Sequence, residues 1–155
     1  MPPSGMIEQV IEAGLYAPSG MGRQSAIVVS VTDKELRNRL SQMNAVVGGW
    51  KPDFDPFYGA PVILIVLANR DIPTFVYDGS LVMGNLMLAA HSLGIGSCWI
   101  HRAKEVFDSE EGKAILQSIG IHGNYEGIGH CILGFIDSPL PKSAPRKQNR
   151  VFYVN

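Results

Sequence analysis

The sequence has no surplus of either charge and no apolar run long enough to cross a membrane. Its 13 lysines and arginines nearly match its 14 aspartates and glutamates, which gives a formal net charge of −1 at pH 7. A general nucleic-acid binder needs a clustered basic surplus, so we do not expect that function. The longest apolar run, residues 60–68, is about half of a membrane span, and no secretory signal opens the chain. We therefore expect a cytoplasmic protein with no nucleic-acid or membrane partner.

Cysteine is scarce as well, and the two cysteines form no recognisable motif. Cys98 and Cys131 lie far apart, without a CxxC pair or neighbouring histidine ligands. This spacing indicates neither a zinc site nor a redox pair, and we interpret both residues as buried thiols. A GxGxxG motif does not follow the first predicted strand, and GxxxxGK[ST] is absent. These absences disfavour a Rossmann-type nucleotide binder.

What the chain does contain is enough apolar sequence for one packed core. It has 155 residues, of which 46% are hydrophobic and 17% charged, so we expect one domain over residues 1–155. Apolar periodicity predicts helices near 4–17, 33–43 and 105–119, and the last can split around Gly112. Apolar and β-branched runs predict strands at 26–31, 61–68, 96–100 and 128–136. By itself this alternation favours a parallel, doubly wound sheet.

The rest of the chain can be arranged around one long apolar helix at 78–93. Nearly every position between Leu81 and Leu93 is apolar or small, so we expect this helix to be covered on most of its sides. Gly84 and other small residues allow the close approach of a second helix, such as the same helix in another copy of the chain. Gly94 follows as a helix stop.

Two segments lack a regular pattern. Residues 44–59 combine prolines, glycines and aromatics, which is typical of a surface loop or lid. The tail at 137–155 holds prolines and four cations before a short β-prone end at 151–154. We expect this tail to extend over another surface, such as a partner subunit, where its end can add a strand.

Three places can carry a binding site, and each also has a purely structural interpretation. The loop at 17–24, APSGMGRQ, can present backbone N–H groups, a hydroxyl and an amide, or can simply connect two elements. The segment CWIHR at the end of the third strand offers the indole face of Trp99 and the donors of His101 and Arg102, although a histidine there is more often structural. The tail cations can hold phosphate or remain solvated; they are Lys142, Arg146, Lys147 and Arg150.

No side chain stands out as a catalyst, because no serine lies in a GxSxG motif and the acidic pairs are equally explained as solvated turns. This fits chemistry that is carried by a bound organic cofactor. Four segments support that interpretation by their order: IEAGLYAPSGMGRQ, DPFYGAPVILIVLA, DGSLVMGNLMLAAHSLGIGSCWI, and GIGHCILGFID with a closing APR. Together they closely resemble the FMN-dependent nitroreductase family over almost the whole chain.

The resemblance implies an α+β fold, with a mixed β-sheet flanked by helices, and an intertwined homodimer with FMN at the subunit interface. The helix at 78–93 then packs on its own sheet and on the partner's helix, and the tail at 137–155 contacts the partner. The implied activity is that of an NAD(P)H-dependent flavin oxidoreductase. Hydride passes from NADH or NADPH to flavin N5, and a nitroaromatic, quinone or similar acceptor is reduced by ping-pong turnover. No catalytic side chain and no metal are implied.

By position, the resemblance also assigns the contacts to FMN. The loop at 17–24 approaches the flavin, commonly from the partner subunit, and the third strand's end lies beside the isoalloxazine with its backbone N–H groups facing N5 and O4. A C-terminal arginine holds the phosphate. The implied cofactor-binding residues are Pro18, Ser19, Gly20, Gln24, Trp99, Ile100, His101, Arg102 and Arg146. Acceptor selection falls to lid residues, namely Trp50, Phe54, Phe57 and Tyr58.

Departures from the family pattern weaken the expected grip on FMN. Gly22 stands where asparagine is usual, Ser25 and Ala26 replace a PW pair, and Ala144 replaces a lysine. Family members also begin earlier, with an RRSxR-like segment that grips the phosphate and ribityl chain. Losing two or three charge-assisted contacts at about 1.5–3 kcal/mol each lowers affinity by several powers of ten, so we expect weak FMN binding. The alternative is a dimeric binding or regulatory module that keeps the fold with little or no flavin.

Overall fold

The fold is built on one four-stranded antiparallel sheet. The computed structural model describes residues 1–51, 53–140 and 142–154. The strands are β1 (Ala26–Val31), β2 (Val62–Asn69), β3 (Gly96–Ile100) and β4 (Tyr125–Gly134). They lie in the order β1-β2-β4-β3, and each neighbouring pair is antiparallel. All four predicted strands are confirmed, with small shifts at their ends.

The α+β class is confirmed, whereas the parallel sheet favoured by alternation alone is wrong. Val31 at the end of β1 lies opposite Ile63 near the start of β2, so the connection between them leaves and returns at the same end of the sheet. Residues 48–51 and 53–61 follow the intervening helix and lie between it and β2. Apolar periodicity does not reveal such a return, and the described sheet is antiparallel throughout rather than mixed.

Five α-helices in the described part of the chain cover the two faces of the sheet. They are α1 (Ser4–Leu15), α2 (Lys34–Val47), α3 (Phe75–Ser92), α4 (Ala103–Asp108) and α5 (Glu110–Ser118). In β2, Leu64 and Val66 pack towards α1 and α3, whereas Ile63 and Ile65 pack towards α2, α4 and α5. Burial on both faces is what a continuous apolar strand predicts. Among the described residues, no helix is both long enough and apolar enough to span a membrane.

The predicted helix at 105–119 is in fact two helices. α4 ends at Asp108, and Ser109 caps α5 because its hydroxyl accepts a hydrogen bond from the Gly112 N–H at 3.0 Å. Gly112 therefore does not interrupt a helix. A Cβ at this position would lie 2.0 Å from the carbonyl oxygen of Val106, so glycine lets the two helices pack closely.

α3 has one uncovered side within this chain. Met83 and Leu86 are fully buried, but Tyr77, Leu81 and Leu88 are 73%, 48% and 71% exposed. The exposed three recur at helical spacing and form one apolar face, which we call the α3 stripe. The expectation of a helix covered on most sides is therefore wrong for the single chain, because these three side chains lie on its surface.

Three smaller expectations also fail. α2 continues through Val47, so the first part of the predicted loop at 44–59 is helical. Asn44, in this last turn, is fully buried. Phe57, expected in a lid, is fully buried because its ring packs into the core against His130. Cys98 is exposed, since it lies on the edge strand β3, while Cys131 is buried as predicted.

Candidate functional site

The predicted site residues fall into two groups at opposite edges of the sheet. One group, which we call the PSG loop, leads into β1 and contains Pro18, Ser19, Gly20 and Gln24. The other, the β3 end, contains Trp99, Ile100, His101 and Arg102. Two strands lie between these edges, and with strands about 4.8 Å apart the groups are separated by roughly 14 Å or more. One chain therefore does not join them.

The PSG loop is tied to the start of α3 by a buried carboxylate that the sequence did not single out as functional. Asp78 is 3% exposed. It accepts hydrogen bonds from the Gly20 N–H at 2.9 Å, the Ser25 hydroxyl at 2.7 Å and the Thr74 hydroxyl at 3.0 Å. Burial raises the pKa of Asp78, but the hydrogen bonds from Ser25, Gly20 and Thr74 outweigh it and lower the pKa below its usual value. The carboxylate is thus an ionised anchor for the loop.

Within the PSG loop, most backbone donors are already used. The N–H groups of Gly22 and Arg23 donate to carbonyls inside the loop, and the Gln24 N–H donates to the Ser19 hydroxyl oxygen at 2.9 Å. Met21 and Gln24 have φ values of 55° and 49°, which is strained for residues other than glycine. The loop therefore offers a ligand mainly the Ser19 hydroxyl proton and the exposed Gln24 amide, rather than a row of N–H groups.

At the β3 end, the Trp99 ring packs inward instead of offering a flat face to a ligand. A Cβ on Gly129 would lie 2.2 Å from Trp99 Nε1, so the indole covers the space that glycine leaves open on β4. This Nε1 is buried and has no hydrogen-bond partner among the described residues. Ile100 is also buried, whereas His101 is exposed. The outward-facing side chains of this segment are therefore those of His101 and Arg102.

A buried amide from α2 holds the turn that follows β3. Asn44 is fully buried, and its Nδ2 donates to the His101 carbonyl at 2.8 Å while its Oδ1 accepts from Arg102 Nε at 3.1 Å. Arg102 has a φ of 74°, a left-handed conformation that is costly for a residue with a side chain. Its guanidinium carbon lies 4.2 Å from the centre of the Trp50 ring. Sequence reasoning missed Asn44, because a contact across 57 positions leaves no local signal.

Exposed aromatic side chains continue from this turn along the segment after α2. Trp50 and Phe54 meet edge to face at 4.8 Å between ring centres, and Phe54 and Tyr58 do so at 6.2 Å. We call these three residues the aromatic row. Asp55 fixes the segment by accepting from the Ser41 hydroxyl at 2.6 Å and from the Gly59 N–H at 2.7 Å, as well as from Arg37.

The charge states of two residues beneath the site follow from their surroundings. For Asp55, burial raises the pKa, but hydrogen bonds from Arg37, Ser41 and two backbone N–H groups lower it to about 2. His130 is fully buried between Phe57 and Phe107, and burial lowers its pKa to about 4 despite the nearby Ile100 and His101 carbonyls. At neutral pH, Asp55 is charged and His130 is neutral.

The remaining predicted residue, Arg146, lies in the exposed tail. Among the described residues, its recorded side-chain hydrogen bond runs from Nη2 to the Ala144 carbonyl at 2.6 Å. This contact connects it to neither the PSG loop nor the β3 end. The described residues also contain no group of three or more His, Cys, Asp or Glu side chains placed to hold a metal ion.

The sequence matches a model of one protein family and two proteins whose names include nitroreductase. A model of the Nitroreductase family matches residues 1–47 and 49–135. A protein from Archaeoglobus fulgidus named "Putative NADH dehydrogenase/NAD(P)H nitroreductase" is 29% identical over 135 residues, which are 83% of this chain and 71% of that protein. A Methanothermobacter thermautotrophicus protein of the same name is 30% identical over 101 residues, 63% of this chain and 49% of its own length. The chain thus matches about half of that relative.

The fold is also that of a solved structure. A nitroreductase with bound FMN from Bacteroides fragilis superposes with a TM-score of 0.87 at 29% sequence identity. The superposition covers 100% of this chain and 89% of that one.

Proposed function

This chain belongs to the nitroreductase family, and we propose that it is an FMN-dependent NAD(P)H oxidoreductase that acts as a homodimer. The observation that carries the proposal is the separation of the PSG loop and the β3 end to opposite edges of one sheet. A two-fold symmetric dimer can bring the loop of one protomer to the strand end of the other, so that each of two sites uses both chains. The FMN bound in the Bacteroides fragilis relative supports flavin as the ligand.

Two surfaces of the chain support the homodimer. The α3 stripe leaves large apolar side chains exposed, which is unusual for an isolated protein and typical of an interface. At Gly84 on the same helix, an added Cβ would meet no atom within 4 Å, so a partner's helix can approach there. β3 is an edge strand with an unpaired side, to which the β-prone end of a partner's tail at 151–154 can add. We propose that the tail at 137–155 extends over the partner in this way.

The side chains of the two groups and the tail fit FMN chemically. None of the nine candidate residues is acidic, which suits a cofactor with an anionic phosphate and a ring that carries several acceptor atoms. The Ser19 hydroxyl and the Gln24 amide are donors for such a ring. Arg146 is exposed and can hold a phosphate by paired hydrogen bonds.

When bound, FMN supplies the redox chemistry by taking a hydride from NADH or NADPH and reducing a nitroaromatic, quinone or similar acceptor. The chain's own residues bind and orient. Asp78 keeps the PSG loop in place, and Asn44 fixes the carbonyl of His101 and so the backbone of the β3 end. Trp99 and Ile100 pack into the cores on opposite faces of the sheet, which holds the backbone of this segment in place.

The test is an FMN titration with paired tail variants. We expect the purified protein to be a dimer that binds FMN and oxidises NADH or NADPH with a nitroaromatic or quinone acceptor. Arg146→Gln should weaken FMN binding about tenfold or more, since it removes a charge-assisted phosphate contact. Arg150→Gln removes the same charge from the same tail and should have little effect.

Two results would contradict the proposal. A dimer that shows no FMN binding at millimolar flavin would support the alternative of a flavin-free binding or regulatory module. A monomer that binds FMN with unchanged affinity in both arginine variants would refute the shared site.

A further inference from the structure

The guanidinium of Arg102 is held in place by Asn44 and Trp50, and the proposed function does not say what it binds. Its Nε is bound by Asn44 at 3.1 Å, and its guanidinium plane lies over Trp50 at 4.2 Å from the ring centre. Asn44 is itself fully buried and bound to the backbone of His101. The guanidinium therefore sits in one place before any ligand arrives, so ordering it costs a ligand little entropy.

The charge of Arg102 is not neutralised by the described part of the chain. Among those residues no carboxylate lies within ion-pair distance of it, whereas Asp55, Asp108, Glu110, Glu111 and Glu126 pair with other arginines and lysines. The neighbouring His130 is neutral at pH 7. Nη1 and Nη2 have no hydrogen-bond partner within the described ranges, and a guanidinium presents such a pair of donors in the geometry that suits a carboxylate.

Flat apolar surface lies directly beside this cation. The aromatic row begins at Trp50, and its members are 39%, 39% and 69% exposed in the order Trp50, Phe54 and Tyr58. Two of these rings are held edge to face at 4.8 Å, and the segment that carries them is anchored by Asp55. Exposed aromatic faces next to a fixed donor pair match a planar ring that carries a negative group.

We propose that Arg102 is a specificity-determining residue, which selects planar aromatic acceptors with an anionic substituent such as a carboxylate or phenolate. The proposal rests on the proposed function, because it assigns the acceptor class of that same site. Asn44 and Trp50 position the guanidinium, Nη1 and Nη2 bind the anion, and the aromatic row receives the ring. Arg102 binds the acceptor and takes no part in electron transfer.

The test compares 4-nitrobenzoate with its neutral analogue 4-nitrobenzamide on the FMN-loaded protein. The measured quantity is the ratio of kcat/KM for the two acceptors, in wild type, Arg102→Gln, Arg102→Lys and Arg102→Gly. Glycine adopts a φ of 74° without strain, so this last variant separates loss of the side chain from misfolding. Arg39→Gln is the matched control, because Arg39 is a surface arginine paired with Glu111 away from the site.

We expect wild type to prefer the anion, and both Arg102→Gln and Arg102→Gly to lower this preference about tenfold, mainly through KM. Arg102→Lys should retain part of it, and Arg39→Gln all of it. Added salt should lower the preference in wild type but not in Arg102→Gly. A second readout without turnover is the affinity of benzoate and benzamide, followed by the change in flavin absorbance.

Three outcomes would overturn the inference while leaving the proposed function standing. One is an acceptor preference that is equal in wild type and Arg102→Gly. The second is a loss of FMN affinity in Arg102→Gly, which would assign the guanidinium to the cofactor. The third is that Arg102→Gly changes only the KM for NADPH. If the loaded protein reduces neither acceptor, the proposed function fails, and the benzoate affinity still decides the role of Arg102.

Discussion

Asp78 at the start of α3 accepts a hydrogen bond from the Gly20 N–H at 2.9 Å, a contact between residues 58 positions apart. The same carboxylate also binds the hydroxyls of Ser25 and Thr74. A helix that carries the proposed dimer surface is thereby joined to the loop that we propose to complete the partner's flavin site. We therefore expect the formation of the dimer and the shape of the flavin site to be coupled through this side chain.

Replacing Asp78 should weaken both the fold and the flavin site. Asp78→Ala leaves the buried Ser25 hydroxyl and two partly buried donors, on Gly20 and Thr74, without their acceptor, and an unsatisfied buried group costs about 1–3 kcal/mol. We expect a lower midpoint in urea unfolding and a weaker FMN affinity. Asp78→Asn keeps an acceptor oxygen for Gly20 and should restore most of both. Equal FMN affinity in wild type and Asp78→Ala would show that the loop does not serve the flavin.

Acid should destabilise the protein through His130. Its pKa is about 4 in the folded state against an ordinary value of 6.5, so the folded protein favours the neutral ring. The stabilisation is complete above about pH 6.5 and is lost as the pH falls towards 4, by up to about 3 kcal/mol. Urea unfolding at several pH values measures it. His130→Leu should remove this pH dependence and cost little stability at pH 7, because neither ring nitrogen has a hydrogen-bond partner among the described residues.

A bulky residue at Gly84 should separate the dimer without unfolding the chain. Within one chain an added Cβ at this position meets open space, so Gly84→Leu leaves the core intact and obstructs only a partner's helix. The control Ala114→Leu adds an exposed leucine to α5, which lies on the other face of the sheet. Sedimentation velocity should find a monomer for Gly84→Leu and a dimer for the control. A stable Gly84→Leu dimer would mean that the α3 contact is misplaced.

Removing the Asp55 carboxylate should release the aromatic row. Asp55→Ala removes the acceptor for Arg37, Ser41 and the Gly59 N–H, which should cost about 1–3 kcal/mol. We expect faster cleavage by chymotrypsin near Trp50, Phe54 and Tyr58. In wild type, the same loosening should appear only as the pH falls below about 4 towards 2, because the pKa of Asp55 is about 2; pepsin, which cleaves next to aromatic residues in acid, replaces chymotrypsin for this measurement. Unchanged cleavage in Asp55→Ala would indicate that other contacts hold the segment.

The sequence predicted the helices and strands better than it predicted the candidate site. The apolar run of β2 predicted its burial on both faces, and the expected split of the helix at 105–119 agrees with the break between α4 and α5. The motif order predicted the family. The parallel sheet was a wrong prediction from alternation, because the return of the chain through 48–61 carries no periodic signal.

The candidate site was harder to predict from the sequence, because its main hydrogen bonds join residues that are far apart along the chain. Asn44 and Asp78 reach residues 57 and 58 positions away, and no local pattern distinguishes them from other polar residues on helices. Trp99 and Phe57 were predicted to face a ligand, since an exposed and a buried aromatic look alike in a sequence. Their inward packing depends on the space above Gly129 and beside His130.

The sequence by itself determined most of the elements through apolar periodicity, and the family, and with it the α+β class, through the order of its motifs, because both can be recognised along the chain without knowing which residues meet. Only the tertiary structure decided which polar groups are buried and paired, and that the two halves of the candidate site lie at opposite edges of one sheet. The physical reason is that burial and hydrogen bonding depend on atoms that meet only after the chain has folded. α3 illustrates both, since its sequence predicts burial and its packing within the single chain leaves Tyr77, Leu81 and Leu88 exposed.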